Sequence, residues 1–138
     1  MITYALDSNT VSYLLRGEGK VDEHFQQEIA DGNMYAIPLI VFYEVRRWLL
    51  YKQNRPLRTL SEDFNALFGN VYSKSMMPIE VWEKAVDIHI SLRQKGQLIG
   101  DADITIAAYC IVNDYTLVTS NTKDFIRIDG LKFVDWKD

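Results

Sequence analysis

The sequence predicts one α/β domain built on a parallel β-sheet of four or five short strands flanked by helices. Short apolar stretches with β propensity alternate along the chain with longer segments of helical periodicity. Such alternation is typical of β-α-β units, in which a helix connects two parallel strands. No repeat, low-complexity segment or linker divides residues 1–138, so a single doubly wound domain is expected.

Composition limits the class of protein. The chain has 138 residues, of which 48% are hydrophobic and 12% aromatic, enough for a packed core and too many for a disordered chain. The single cysteine, Cys110, excludes a disulfide or a cysteine metal site within one chain and suits a reducing compartment. Neither a signal peptide nor a membrane span is expected, because Asp7 interrupts a short apolar start and no long apolar run follows. We therefore expect a cytoplasmic protein that does not associate with membranes.

The net charge of −4 argues against a protein that binds nucleic acid through bulk positive charge. A local basic patch is still compatible with it. Five basic residues between positions 46 and 58 form either a solvated face or a track for an RNA backbone. These residues are Arg46, Arg47, Lys52, Arg55 and Arg58.

The predicted elements follow from periodicity and from turn residues. The predicted strands cover residues 2–6, 34–37, 71–73, 116–119 and 132–134. The predicted helices cover residues 11–15, 20–30, 39–53, 60–68, 78–95 and 101–113, with a loop or a single helical turn at 120–125. A break between the third and fourth helices is expected at Asn54-Arg55-Pro56.

The stretch 99–108 is the most informative part of the chain. Asp101 and Asp103 follow Gly100 and precede a long apolar run, so they mark the first turn of a buried helix. Helix N-termini favour acidic residues, and Asp101 is expected to be the N-cap. The same two acids become candidates for a functional site because other polar residues follow neighbouring strands.

Three further polar residues are expected near these acids. Asp7 and Asn121 each follow a predicted strand, at the sheet edge where α/β proteins bind ligands, and Glu44 lies beside the apolar stripe of its helix. Like charges share a pocket only if some are protonated or a cation lies among them. Oxygen ligands without His or Cys favour Mg²⁺ or Mn²⁺, which suits phosphodiester cleavage. His24 and His89 have no partner motif and are expected at the surface or its boundary.

These residues resemble PIN-domain ribonucleases, and specifically the VapC toxins of bacterial toxin–antitoxin pairs. The resemblance spans the whole chain in order. It is carried by Leu6-Asp7-Ser8-Asn9, by Glu44 within residues 41–45, by Ile99-Gly100-x-x-Asp103-x-x-Ile106-Ala107-Ala108, by Thr119-x-Asn121-x-x-Asp124-Phe125, and by Gly130-Leu131 with Trp136.

The resemblance implies a PIN-like fold and a metal-dependent endoribonuclease. Asp7 and Asp103 would be the metal ligands, for Mg²⁺ or Mn²⁺, and Glu44 would orient metal-bound water. Asn121 stands where many PIN domains have a fourth acid, which puts a second metal site in doubt, and Asp124 or Asp101 would supply the missing charge. Ser8, Asn9 and Thr119 would hydrogen-bond to the acids.

The resemblance also implies partners: an RNA substrate and a cognate antitoxin protein whose basic side chain enters the acidic pocket. Apolar residues of the N-terminal helices either form this interface or fill the core. They are Tyr13, Leu14, Leu15, Phe42, Trp48, Leu49, Leu50 and Tyr51. A helix face would also allow two copies to pair as a homodimer.

Two other functions compete with this interpretation. Asp7-Ser8-Asn9-Thr10 after a strand is similar to the Asp-x-Asp-x-Thr motif of haloacid-dehalogenase-like phosphatases, but Asn9 replaces the second acid. A PIN-like domain that has lost catalysis and only binds RNA or protein is the second alternative, and Asn121 is the residue that favours it.

Overall fold

The computed structural model describes the backbone of residues 1–52 and 55–138, and the side chains outside residues 52–58. Four strands and seven α-helices lie in these ranges. The strands are β1 (Thr3–Leu6), β2 (Met34–Ala36), β3 (Thr116–Val118) and β4 (Phe133–Val134). The helices are α1 (Ser8–Leu15), α2 (Gly19–Ala30), α3 (Leu39–Lys52), α4 (Arg55–Gly69), α5 (Ile79–Gln94), α6 (Asp101–Asn113) and α7 (Thr122–Phe125).

The four strands form one sheet in the order β2-β1-β3-β4, and every neighbouring pair is parallel. The chain therefore moves from β1 to β2 on one side and then places β3 on the other side of β1. The predicted α/β class and parallel sheet are confirmed, with four strands rather than five.

The core forms because the helices between the strands each bury an apolar face. In α6 this burial is nearly complete, since every side chain from residue 104 to residue 110 is buried, including Cys110. Three aromatic rings of α3 and α4 pack together, with Phe42 4.7 Å from Phe68 and 6.1 Å from Phe64 between centroids. Near the C-terminus Trp136 packs against Tyr4 of β1 at 5.3 Å. Within the described residues, no helix is long and apolar enough to cross a membrane.

The strand predicted at residues 71–73 is wrong. A 3-10 turn covers Tyr72–Lys74 instead, and local bonds close it, from Lys74 N to Val71 O at 2.9 Å and from Ser75 Oγ to Tyr72 O at 2.7 Å. The hydroxyl of Ser75 and the backbone thus satisfy one another within the turn, which removes the need for a neighbouring strand.

Helix α4 begins at Arg55, five residues earlier than predicted. Pro56 is therefore in the first helical turn, where its missing N–H costs little because such groups have no partner within the helix. Of the break predicted at Asn54-Arg55-Pro56, the part at Arg55 and Pro56 is wrong because both residues lie in α4, and Asn54 lies outside the described residues.

Candidate active site

Strands β1 and β3 bring distant parts of the chain to one edge of the sheet. Leu6 pairs with Val118 in the register of these strands, so the next residues, Asp7 and Thr119, leave the sheet side by side. The order of the strands reverses between β1 and β3, and open α/β sheets bind ligands at such a reversal.

Asp7 is held at this edge by the backbone of two elements. Its carboxylate caps α1, accepting a hydrogen bond from Thr10 N at 2.9 Å, and its own N–H donates to Val118 O at 3.3 Å. The hydroxyl of Thr10 also donates to Val118 O, at 3.0 Å. The turn from β1 into α1 is thereby fixed to the end of β3.

Burial raises the pKa of Asp7, whose side chain and backbone are only 6% exposed, and the charge of Glu44 raises it further. Hydrogen bonds from the Thr119 hydroxyl and from Thr10 N oppose this effect. Thr119 is itself buried, and its Oγ1 accepts a hydrogen bond from Asn121 N at 3.0 Å. The loop after β3 therefore orients the hydroxyl that contacts Asp7.

Glu44 reaches the same region from α3. It is half-buried, between the buried residues Val41 and Val45, and its Oε1 accepts a hydrogen bond of 2.6 Å from Ser8 Oγ at the start of α1. The predicted hydrogen-bonding role of Ser8 toward an acid agrees with this contact. Asn9, which was expected to act similarly, is exposed.

Asp103 lies in the first turn of α6 and is half-buried. Burial raises its pKa to about 6, and the negative charges of Asp7, Glu44 and Asp124 contribute in that order. Four acids from the ends or faces of different elements thus act on one another electrostatically. We call Asp7, Glu44, Asp103 and Asp124 the acid edge.

The expectation that Asp101 is the N-cap of α6 is wrong. Gly100 is the N-cap, and its carbonyl accepts the first helical hydrogen bond, from Ile104 N at 3.1 Å. Asp101 is the first helical residue and is exposed, and the charges that raise the pKa of Asp103 do not include it. Its position still suits an acid, because the helix N-terminus attracts negative charge.

Asn121 contacts an acid rather than replacing one. Its Nδ2 donates to Asp124 Oδ2 at 3.0 Å, and Arg127 Nη2 lies 3.8 Å from Asp124 Oδ1. Of the two acids proposed to supply the missing charge, Asp124 is the one whose charge reaches Asp103. Sequence reasoning missed Arg127, although its spacing of three residues from Asp124 was a signal for a pair on one helical turn.

The donor set fits a hard divalent cation in its chemistry. The acid edge offers carboxylate oxygens that repel one another, and among the described ion pairs none includes Asp7, Glu44 or Asp103. In the part of the chain that the structure describes, no three His, Cys, Asp or Glu side chains are grouped closely enough to hold a metal ion. The predicted ligand pair, Asp7 and Asp103, would therefore leave the remaining positions of an ion to water and neutral oxygens.

A cleft of about 310 Å³ between α1 and α3 opens beside Glu44. Trp48 lines this cleft, and Arg16, at the end of α1, contributes a positive charge to it. The other lining residues are Ser8, Asn9, Ser12 and Val45. The cleft thus continues from the acid edge along a surface that offers hydroxyls, an aromatic ring and a guanidinium.

The described basic side chains of α3 contact aromatic rings and a polar side chain of the protein, so they are not solvated on all sides. The guanidinium of Arg46 lies 5.1 Å from the centre of the Phe42 ring and donates to Asn65 Oδ1. Arg47 is exposed and lies over the ring of Tyr43. The side chains of Lys52, Arg55 and Arg58 are outside the described residues.

The predicted apolar interface residues divide into three groups. Leu49 is buried in the core, as the core alternative requires. Leu50 and Tyr51 are exposed by 58% and 83%. The rest pack partly buried against the core, namely Tyr13, Leu14, Leu15, Phe42 and Trp48.

Of the histidines, His24 is exposed and stacks on Trp136, and His89 is half-buried on α5, so both lie at the surface or its boundary as predicted.

Comparison with known proteins gives consistent matches over the whole chain. The family model described as "PIN domain" matches residues 4–131. "Ribonuclease VapC1" of Haemophilus influenzae (strain R2866) is 25% identical, with 96% of this chain and 97% of the relative covered. "Ribonuclease VapC1" of Methanocaldococcus jannaschii is 32% identical over 103 residues, covering 72% of this chain and 70% of the relative. The crystal structure of VapBC2 from Rickettsia felis, bound to a DNA fragment from the promoter, superposes with a TM-score of 0.85 at 25% identity, covering 98% of this chain and 99% of that one.

Proposed function

This chain belongs to the PIN-domain family, and from that premise we propose that it is a Mg²⁺- or Mn²⁺-dependent endoribonuclease acting as the toxin of a toxin–antitoxin pair. The names of its relatives, which are VapC ribonucleases, support the reaction and its class of substrate. The similarity to the crystal structure of VapBC2 from Rickettsia felis supports the presence of a protein partner.

The observation that carries the proposal is the acid edge. Its carboxylates come from the end of β1, the face of α3, the first turn of α6 and the short helix α7. Burial raises the pKa of Asp103, and the negative charges of the other three acids raise it further. Folding brings these like charges together at an electrostatic cost, which a bound divalent cation would offset.

In this proposal Asp7 and Asp103 hold the ion, which supplies polarisation of the RNA phosphate and a lowered pKa for a bound water. Glu44 orients that water, and Ser8 fixes the carboxylate of Glu44 through its 2.6 Å hydrogen bond. Thr119 fixes Asp7. Asp124, held by Asn121 and Arg127, adds negative charge where many PIN domains have a fourth acid.

The cleft between α1 and α3 supports an RNA substrate beside these acids. Single-stranded RNA is commonly bound by stacking its bases on aromatic rings while cations contact its phosphates. Trp48 provides such a ring and Arg16 such a cation, and both line the same cleft as Glu44. A local arrangement of this kind would compensate for the net charge of −4.

The antitoxin is proposed to cover the helices next to the acid edge. A second groove, of about 230 Å³, lies between α1, α2 and α4. Its walls combine apolar side chains with two acids, and they are Leu14, Leu15, Asp22, Phe25, Gln26, Asp63 and Leu67. Such a groove fits an amphipathic segment with basic residues, and an Arg or Lys of that segment would compete with the ion for the acids.

The direct test is cleavage of a mixed cellular RNA pool by the purified chain. We expect Mg²⁺- or Mn²⁺-dependent cleavage that EDTA abolishes and that added metal restores, and sequencing of the product ends would identify the site. Binding of RNA without cleavage under any divalent metal would instead favour the non-catalytic module, for which Asn121 is the sequence argument.

The product of the neighbouring reading frame should inhibit cleavage; if it neither binds nor inhibits, the toxin role is wrong while the nuclease role stands.

A further inference from the structure

A cleft of about 230 Å³, which we call the α5 cleft, lies between helix α5 and the segment that follows α7. Three buried apolar side chains of these two elements line it, so its floor is apolar. The α5 residues of its polar lining are three and four positions apart and therefore share one face of the helix. The polar lining consists of Lys84, Asp87, Ser91, Arg127 and Asp129. Two cations, a hydroxyl and two acids thus line one concave surface outside the acid edge.

Lys84 provides the α5 cleft with a positive charge. It is half-buried, and it has no acid partner among the ion pairs of the described residues. Asp129 is paired with Lys95 at 3.4 Å, and Asp87 is exposed one helical turn away from Lys84. An ammonium group that is partly removed from water gains from contact with an anion. The α5 cleft therefore favours a ligand that brings a negative charge to Lys84.

Arg127 connects the α5 cleft to the acid edge. Its Nη2 lies 3.8 Å from Asp124 Oδ1, and its Nη1 donates a hydrogen bond of 3.5 Å to Gln97 O. Both contacts are long, and a guanidinium has five N–H donors, so donors of Arg127 are available to a ligand in the cleft. A ligand that contacts Arg127 in the α5 cleft is therefore separated from Asp124 of the acid edge by a single side chain.

We propose that the α5 cleft binds a nucleotide of the RNA beside the scissile bond, with the phosphate of that nucleotide at Lys84 and Arg127. This inference rests on the proposed ribonuclease function, because RNA with its scissile phosphate at the acid edge has further phosphates on either side. Arginine and lysine both bind phosphate groups. Asp87 and Ser91 suit the ribose, whose 2′-hydroxyl donates and accepts hydrogen bonds. A simple anion would be repelled by the acids of the cleft, so the mixed lining favours a nucleotide.

Fluorescence anisotropy of a labelled single-stranded RNA of about ten nucleotides tests the proposal. The Asp103→Asn protein in EDTA allows binding to be measured without cleavage. Adding Lys84→Met, which removes the charge and keeps a straight apolar side chain, should raise the dissociation constant roughly threefold or more at low salt. The slope of log K against log[NaCl] should become shallower by about 0.7, as for the loss of one phosphate contact. Lys20→Met, the same change at an exposed position of α2, should alter neither quantity. Equal binding by the two lysine variants would overturn the proposal.

A second variant tests the cleft without removing Lys84, in case Lys84→Met fails to fold. Ser91→Glu adds an acid to the lining and should also weaken RNA binding, again by roughly threefold or more, because it repels the phosphate. Ser73→Glu, the same change at an exposed position of the 3-10 turn, should bind RNA as the parent does. Equal binding by the two serine variants would contradict the proposed site.

Steady-state cleavage with Asp103 intact separates this proposal from the proposed function. Lys84→Met should raise KM for the same RNA roughly threefold or more and leave kcat within about twofold, because the lost contact is equally present before and during cleavage. Metal-dependent cleavage with an unchanged KM would overturn the nucleotide site and leave the nuclease. Weaker RNA binding by Lys84→Met, in a protein that cleaves no RNA, would support the site and overturn the nuclease.

Discussion

Two groups of carboxylates in this protein differ in their relation to positive charge. Three acids at the surface are paired with lysines: Asp114 with Lys132 at 2.8 Å, Glu18 with Lys137 at 3.2 Å, and Asp129 with Lys95 at 3.4 Å. The more buried acids of the acid edge have, among the described residues, only the contact of 3.8 Å from Arg127 to Asp124. The lysines thus pair with acids that water already solvates. The more buried acids of the acid edge have fewer positive charges near them, although burial makes their ionisation unfavourable.

This difference separates the acids proposed for function from the acids that are paired at the surface. Exposed ion pairs contribute little to stability, because water screens them and the side chains lose freedom in pairing. Burial and neighbouring negative charges make ionisation of Asp103 unfavourable in the folded protein, since both raise its pKa. In the proposed function, a divalent cation at the acid edge would offset this cost.

The largest expected effect is on catalysis, from Asp7→Asn. Asparagine can still cap α1 through its side-chain oxygen, so the fold should persist, while the loss of a metal ligand should lower RNA cleavage by about 100-fold or more. The matched change among the paired acids is Asp114→Asn, since asparagine tolerates the positive φ of 57° there. Initial rates of cleavage should separate the two variants clearly. Near wild-type cleavage by Asp7→Asn would remove Asp7 from the site.

The next effect is on stability, from Asp103→Asn. Because the pKa of Asp103 in the folded protein is raised to about 6, its ionisation destabilises the fold as pH rises from about 4 through 6. Without divalent metal, the variant should be more stable than the wild type by about 1–2 kcal/mol at pH 7.5, after allowance for partial exposure. Urea unfolding measures the difference. The difference in stability should shrink at pH 5, where Asp103 of the folded wild type is mostly protonated. A stability advantage of the variant that grows at pH 5 would contradict the raised pKa of Asp103.

Asn121→Asp tests how far the acid edge extends. The change removes a hydrogen bond of 3.0 Å to Asp124 and places a second carboxylate beside that of Asp124. The metal-free protein should therefore lose about 1 kcal/mol of stability. If an ion lies within reach, the added carboxylate should lower the Mg²⁺ concentration needed for half-maximal cleavage. Unchanged metal dependence would mean that position 121 does not face the ion.

The smallest effect is expected among the exposed pairs. Lys132→Ala removes the partner of Asp114, and both side chains are largely exposed, by 57% and 88%. The free energy of unfolding should change by less than about 0.5 kcal/mol, and cleavage should not change. A loss comparable to the gain from Asp103→Asn would erase the contrast between the two groups of acids.

Much of the fold could be predicted because its signals are local. The apolar run after Asp103 identified a buried helix, and the strands before Asp7 and Asn121 identified neighbouring elements of a parallel sheet. The expectation that Asp7 and Asn121 lie at one edge followed from the rule that parallel strands end at the same side, whereas Glu44 was singled out as an acid beside the apolar stripe of its helix.

The errors arose where tertiary contacts override local preference. The sequence around Asp101 satisfies the usual preference for an acidic cap, yet the chain places Gly100 there and leaves Asp101 exposed. The hydrogen bond from Asn121 to Asp124 and the approach of Arg127 depend on the exact turn after β3, which composition does not specify.

The central claim is that the acid edge binds a divalent cation for RNA cleavage. It is tested most directly by the Mg²⁺ dependence of cleavage in three proteins: the wild type, Asp103→Asn, and Asp101→Asn on the same helical turn. We predict saturable, EDTA-sensitive cleavage by the wild type and by Asp101→Asn, within about twofold of each other, and a loss of about 100-fold or more for Asp103→Asn at every Mg²⁺ concentration. Equal metal-dependent cleavage by all three proteins would contradict the claim.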